Sequence, residues 1–163
     1  GHAATIAAVR PVAALTYLVR EPARCAVPSV RLGSAEADTA LRAADVVVCA
    51  TSARTPLFDS TVLRDDVVVM AVGSHEPDAR ELDAALMARS TVVVEDVATA
   101  LREAGDVVMA IADGHLTADR LVTMRDVVTG AVVPPCDRPL VFKSVGMAWE
   151  DLVVAEAVAA VAS

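Results

Sequence analysis

Polar residues able to do chemistry recur just after short apolar runs in this chain. Arg20 follows Ala14–Val19, Thr51 and Ser52 follow Asp45–Ala50, and Gly73, Ser74 and His75 follow Val67–Val72. Each apolar run reads as a strand, so these residues are expected at strand carboxyl ends, where open α/β sheets bind ligands. An unperturbed histidine titrates near pH 6.5, so His75 can pass a proton at neutral pH. It reads equally well as a surface loop residue. Thr51 and Ser52 suit hydrogen bonding to a ligand, but also a helix cap or turn. The three histidines (His2, His75, His115) are too scattered for a metal-site pattern, and Cys25, Cys49 and Cys136 form neither a disulfide framework nor a zinc motif.

The elements that must position these groups alternate. Ala3–Arg10 reads as a helix stopped by Pro11, and Arg20–Glu21–Pro22 opens a short helix after the first strand. Ser29–Leu32 is a weak strand. Ser34 caps a helix over Ala35–Ala44, with Glu36 and Asp38 near its positive end. Asp78–Arg89 has the spacing of an amphipathic helix. Thr91–Val94 is a strand, Glu95–Ala104 a helix stopped by Gly105, and Ala118–Thr129 a helix stopped by Gly130. Pro134–Pro139 links to a last strand and a long helix running to Ser163. Strand–helix alternation with valine-rich, two-face-buried strands implies an α/β fold with a Rossmann-like, doubly wound, mostly parallel sheet.

Composition agrees. The 163 residues suit a single domain, and 55% hydrophobic content fills its core with Val, Ala and Leu because aromatics are only 2%. A net charge of −8 argues against nucleic acid and anionic membranes as partners. The apolar runs are too short to span a bilayer. With no charged segment leading a long apolar run, the expected location is the cytoplasm.

Two stretches carry a resemblance. Val141-Phe-Lys-Ser-Val-Gly-Met-Ala-Trp-Glu-Asp151 contains the only lysine among fourteen Lys and Arg residues, and Ala71-Val-Gly-Ser-His-Glu-Pro-Asp-Ala-Arg-Glu-Leu-Asp83 forms the second. Both resemble signatures of the ornithine cyclodeaminase/mu-crystallin family, of the mu-crystallin or imine reductase type. The resemblance covers Ala3 to the C-terminus. It implies one NAD(P)-binding domain over residues 1–163, and hydride transfer to or from an imine derived from an amino acid. The small-molecule substrate would be an amino acid or cyclic imine.

The resemblance also implies the cofactor contacts. Arg20, Glu21 and Arg24 fall where family members hold the adenosine ribose. Arginines there favour a 2′-phosphate, so NADP is preferred slightly over NAD, although solvated arginines at a helix start fit equally. Thr51, Ser52, Val72 and Gly73 match cofactor-contacting strand ends, and Ser144 and Gly146 match the nicotinamide-side turn or a plain helix cap. Lys143 aligns beside the cofactor. His75 stands where the cyclodeaminase branch has a catalytic aspartate, which tilts the expectation away from ornithine cyclisation and leaves His75 as the local catalytic candidate. Thr123–Val128 departs from the family's Glu-Leu-Gly-Glu.

The family's catalytic lysine and carboxylate-binding arginine belong to an N-terminal portion with no counterpart here. There is also no G-x-G-x-x-G. The expectation is therefore an N-terminally truncated domain without its first strand and phosphate loop. Three arrangements would relieve the resulting gap: pairing of the flanking strands Ala14–Val19 and Asp45–Ala50 with each other, a strand from another chain, or homodimerisation by edge pairing. A non-catalytic remnant serving as a structural or partner-binding α/β domain is the alternative function.

Overall fold

Runs of valine form the sheet. In the computed structural model, which describes residues 2–162, β3 (Val46–Cys49), β4 (Val68–Ala71), β5 (Thr91–Val94), β6 (Leu121–Thr123) and β7 (Leu140–Lys143) form one sheet in the order β3-β4-β7-β5-β6. Every pairing is parallel. One register row crosses all five strands through Val47, Val69, Val141, Val92 and Leu121. β-Branched side chains pack well on such a pleated surface, and Val69, Val92 and Val141 are buried. The last strand in the chain, β7, lies at the centre, so the turn after Lys143 reaches the middle of the sheet's carboxyl edge.

Before this sheet come α1 (His2–Val9), β1 (Leu18–Val19), β2 (Val30–Arg31) and α2 (Ala35–Ala43). β1 and β2 pair in parallel as a separate two-stranded sheet. Of the arrangements open to the sequence, pairing of the flanking strands is thus not adopted: β1 pairs with β2, and β3 with β4. Ser34 caps α2 by accepting the Ala37 N–H at 3.2 Å, as its sequence position predicts.

The remaining helices are α3 (Ala84–Arg89), α4 (Val97–Glu103), α5 (Gly105–Ala112), α6 (Met124–Val128) and α7 (Ala148–Ala162). Leu86 and Met87 of α3 and Val107 and Ala110 of α5 join the valines in the core. Neither α1 nor α7 follows that pattern. No residue of α1 is buried, and α7 exposes Trp149, Leu152, Val153, Val154, Val158 and Val161. Gly1 and Ser163, the expected end of the last helix, lie outside the described residues.

Three segments differ from the periodicity. The helix expected over Asp78–Arg89 starts only at Ala84, because Asp83 caps it and the N–H groups of Glu81 and Leu82 donate to Asp106 Oδ1, each at 2.8 Å. Gly105 opens α5 rather than closing α4. The 76–79 loop passes so near that a Cβ there would sit 2.0 Å from the Ala79 carbonyl oxygen. Ala118–Thr129 is a 3-10 turn, then β6, then α6. Leu121–Thr123 forms the edge strand beside β5, and Thr123 caps α6.

Candidate cofactor-binding rim

Three of the four adjacent strand pairs of the five-stranded sheet are tied together at their carboxyl ends by charged side chains. Between β3 and β4 the link is Glu81. Its Oε1 accepts the Thr51 N–H and the Thr51 hydroxyl, both at 2.7 Å, and its Oε2 accepts the Gly73 N–H at 2.8 Å. Between β4 and β7 it is Lys143, whose Nζ donates to the Ser74 carbonyl and lies 3.2 Å from Asp106 Oδ2. Between β7 and β5 it is Glu95, which accepts the Ser144 hydroxyl at 2.7 Å and the Val145 N–H at 3.2 Å.

Glu81, Asp106 and Lys143 are all buried. Charges so placed must be paired or saturated with hydrogen bonds. Glu81 meets this requirement with three donors. Asp106 Oδ1 does so with two N–H groups, while Oδ2 has no aligned hydrogen bond and faces the Lys143 ammonium instead. The same cluster acts on Cys49 at the end of β3. Burial, reinforced by Glu81 and Asp106 and opposed by Lys143, pushes its thiol up to about 12.

Gly73 is fixed by this construction. A Cβ there would stand 2.1 Å from the Thr51 carbonyl oxygen and 2.7 Å from Glu81 Oε1. The chain therefore turns between Val72, whose N–H donates to the Cys49 carbonyl at 2.9 Å, and Ser74, whose hydroxyl donates to the Ala79 carbonyl at 2.7 Å. Gly146 has φ +80°, with open space where its side chain would be, and its N–H donates to Ser144 Oγ at 3.2 Å.

The residues singled out in the sequence fall into two groups. Thr51, Ser52, Val72, Gly73, Ser144 and Gly146 share the carboxyl edge of β3, β4 and β7. Ser52, Gly73 and His75 line a shallow recess of about 60 Å³ with Arg54 and Glu76. That volume suits a water or two rather than a ring. Arg54 is ion-paired there to Glu76 and Asp78. His75 is exposed and, among the described residues, makes no hydrogen bond. Arg20, Glu21 and Arg24 form the second group, after β1 in the small sheet. They are exposed, with Arg24 3.4 Å from Glu21.

Sequence reasoning missed the carboxylates that organise the edge. Glu81 lay inside a quoted motif, but its burial was invisible. Glu95 follows a valine run, which marked a strand end without naming its partner 49 residues on. Lys143, expected beside the cofactor, has its ammonium turned inward to Asp106 and Ser74.

The profile of the ornithine cyclodeaminase/mu-crystallin family matches residues 24–163. The chain belongs to that family. Family members similar to it include the Delta(1)-pyrroline-2-carboxylate/Delta(1)-piperideine-2-carboxylate reductase of Azospirillum brasilense, 38% identical over 160 residues, or 93% of this chain and 49% of that protein. The ketimine reductase mu-crystallin of Mus musculus is 37% identical over 119 residues, 73% of this chain and 36% of its own. Among solved structures, the Delta(1)-pyrroline-2-carboxylate reductase of Thermococcus litoralis, in complex with NADH and L-proline, superposes with a TM-score of 0.71. It is 27% identical and covers 78% of this chain and 39% of that one. The chain thus spans less than half the length of these relatives. The likeness agrees with the Rossmann-like α/β expectation. Among the described residues no helix is long and apolar enough to cross a membrane.

Proposed function

We propose that this chain is the dinucleotide-binding domain of an NAD(P)-dependent reductase acting on an imine derived from an amino acid. The observation that carries the reading is the shared edge on which Thr51, Gly73 and Ser144 stand, at the carboxyl ends of three neighbouring parallel strands. Relatives that include imine reductases, and a solved relative in complex with NADH, support it.

The residues present fit the nicotinamide half of such a cofactor. Thr51, Ser52, Val72, Gly73, Ser144 and Gly146 would hold it, with the space beside Gly146 open. Arg20 and Arg24 would meet the adenosine ribose, and a 2′-phosphate there would make NADP the preferred form. When bound, the nicotinamide supplies the hydride. This chain's part is to hold the ring at a fixed position and keep the rim from shifting, which the buried carboxylates do. His75, exposed beside the recess, is the proposed group for moving a proton to or from the substrate nitrogen.

The test is calorimetric titration of the chain with NADH and with NADPH. Micromolar binding of either supports the reading, and tighter NADPH binding that Arg20→Ala abolishes assigns the 2′-phosphate. No heat at millimolar cofactor overturns it. A second reading, a structural or partner-binding α/β domain, is favoured by the separate β1–β2 sheet and by the bare apolar helices α1 and α7.

A further inference from the structure

Two hydroxyls on the rim have lost their freedom to rotate. Both oxygens of Glu81 already accept backbone N–H groups, from Thr51 and from Gly73, so this carboxylate acts as an acceptor. The proton shared at 2.7 Å with Thr51 Oγ1 therefore comes from the threonine. One of the lone pairs on Oγ1 then receives the Ala53 N–H at 3.2 Å. Ser144 repeats the arrangement. Glu95 Oε2 accepts the Val145 N–H, Glu95 Oε1 accepts the hydrogen bond donated by the serine O–H, and Ser144 Oγ accepts the Gly146 N–H at 3.2 Å. Each hydroxyl is left with one lone pair and no proton to offer.

We propose that Thr51 and Ser144 are acceptor-only contacts that select hydrogen-bond donors on the ligand, with Glu81 and Glu95 as the positioning residues that set this polarity. A phosphate or carboxylate oxygen at either point would meet a lone pair backed by a carboxylate, so anionic groups of the ligand must sit elsewhere. The proposal deepens the dinucleotide reading and rests on it. On the nicotinamide half of such a cofactor two kinds of donor exist, the carboxamide NH₂ and the ribose hydroxyls. β3 and β7 are two strand positions apart, so the two contacts lie roughly 10 Å from one another and meet different parts of the ligand.

Three probes separate the outcomes by calorimetry: NADH, its 3-acetylpyridine analogue, which keeps the carbonyl but has no N–H, and an NADH lacking the nicotinamide-ribose hydroxyls. The unmodified chain is expected to bind at least one analogue about tenfold more weakly than NADH, the effect of one lost hydrogen bond. Thr51→Val or Ser144→Ala should erase that discrimination. Loss of the acetylpyridine effect assigns the carboxamide, and loss of the deoxyribose effect assigns the ribose. Glu95→Gln, at a partly exposed site, presents an NH₂ to Ser144 and should also weaken discrimination, whereas a purely structural role would weaken all three probes alike. Equal binding of all three by the unmodified chain, or discrimination unchanged in both hydroxyl variants, overturns the proposal while leaving the dinucleotide reading standing. Failure of the unmodified chain to bind NADH or NADPH overturns that reading and this proposal together.

Discussion

Glu95 and Ser144 are 49 residues apart in sequence and 2.7 Å apart in space, and their contact joins the ends of β5 and β7. Glu81 does the same for β3 and β4. The candidate site is thus a row of loops whose spacing is set by carboxylates that never need to touch a ligand. Its sensitivity to substitution should therefore peak away from the exposed residues.

Gly73→Ala tests the tightest point. The added Cβ meets backbone and a buried carboxylate rather than a movable side-chain end, so Thr51 or the β4 turn has to shift. The expected result is a lower melting temperature together with loss of any NADH binding. Gly130→Ala is the comparison. It suffers only the left-handed strain of its φ of +76°, about 1 kcal/mol, and should leave binding intact.

Glu81→Ala removes the acceptor for two N–H groups and a hydroxyl at a fully buried position. At about 1–3 kcal/mol for each unsatisfied buried donor, a loss of roughly 2–5 kcal/mol is expected, read from the urea midpoint. An unchanged midpoint would show that water replaces the carboxylate.

Lys143→Met leaves Asp106 Oδ2 buried beside no cation. Breaking one side of a buried pair costs about 3–5 kcal/mol, so the variant should be strongly destabilised. Adding Asp106→Asn removes the stranded charge and can keep an acceptor for the Glu81 and Leu82 N–H groups. The double variant should be more stable than Lys143→Met alone. If it is less stable, Asp106 matters chiefly for those N–H groups.

Cys49 gives a prediction with a sign. Its folded pKa, raised to about 12, exceeds the ordinary thiol value of 9.0, so the folded state holds its proton longer. The stabilisation is fully present below pH 9 and is lost as pH rises from 9 towards 12, at up to about 1.4 kcal/mol per pH unit. Cys49→Ala should flatten that alkaline slope in denaturation curves. At pH 8 a thiol reagent should label exposed Cys136 readily and Cys49 only after unfolding.

The sheet was legible because its strands are continuous β-branched runs: Val46–Val48, Val67–Val69 and Val92–Val94 need only their own composition to be recognised, although the expected burial on both faces is approached only by β5, and Val46 on the edge strand is exposed. Ser34 was legible as a cap for a similarly local reason. The start of α3 and the role of Gly105 were not, since both depend on a loop–helix contact between Glu76–Leu82 and Gly105–Asp106 that no local period encodes. β6 was absorbed into a helix because Leu121–Thr123 is three residues long. Thr51, Gly73 and Ser144 could be placed on one edge of the sheet because each follows a visible strand. Glu81 and Glu95 escaped because a carboxylate's meaning lies in what it faces.

One practical result follows from where the chain keeps its aromatic residues. Its single tryptophan, Trp149, is 51% exposed on α7, and its single tyrosine, Tyr17, is 42% exposed. The valine interior holds no strong intrinsic fluorophore. Intrinsic emission will thus register what happens around the last helix, including anything that docks on it, while the sheet can melt unseen. Unfolding of this molecule should be followed by far-ultraviolet circular dichroism, leaving tryptophan light as a dedicated sensor of one surface.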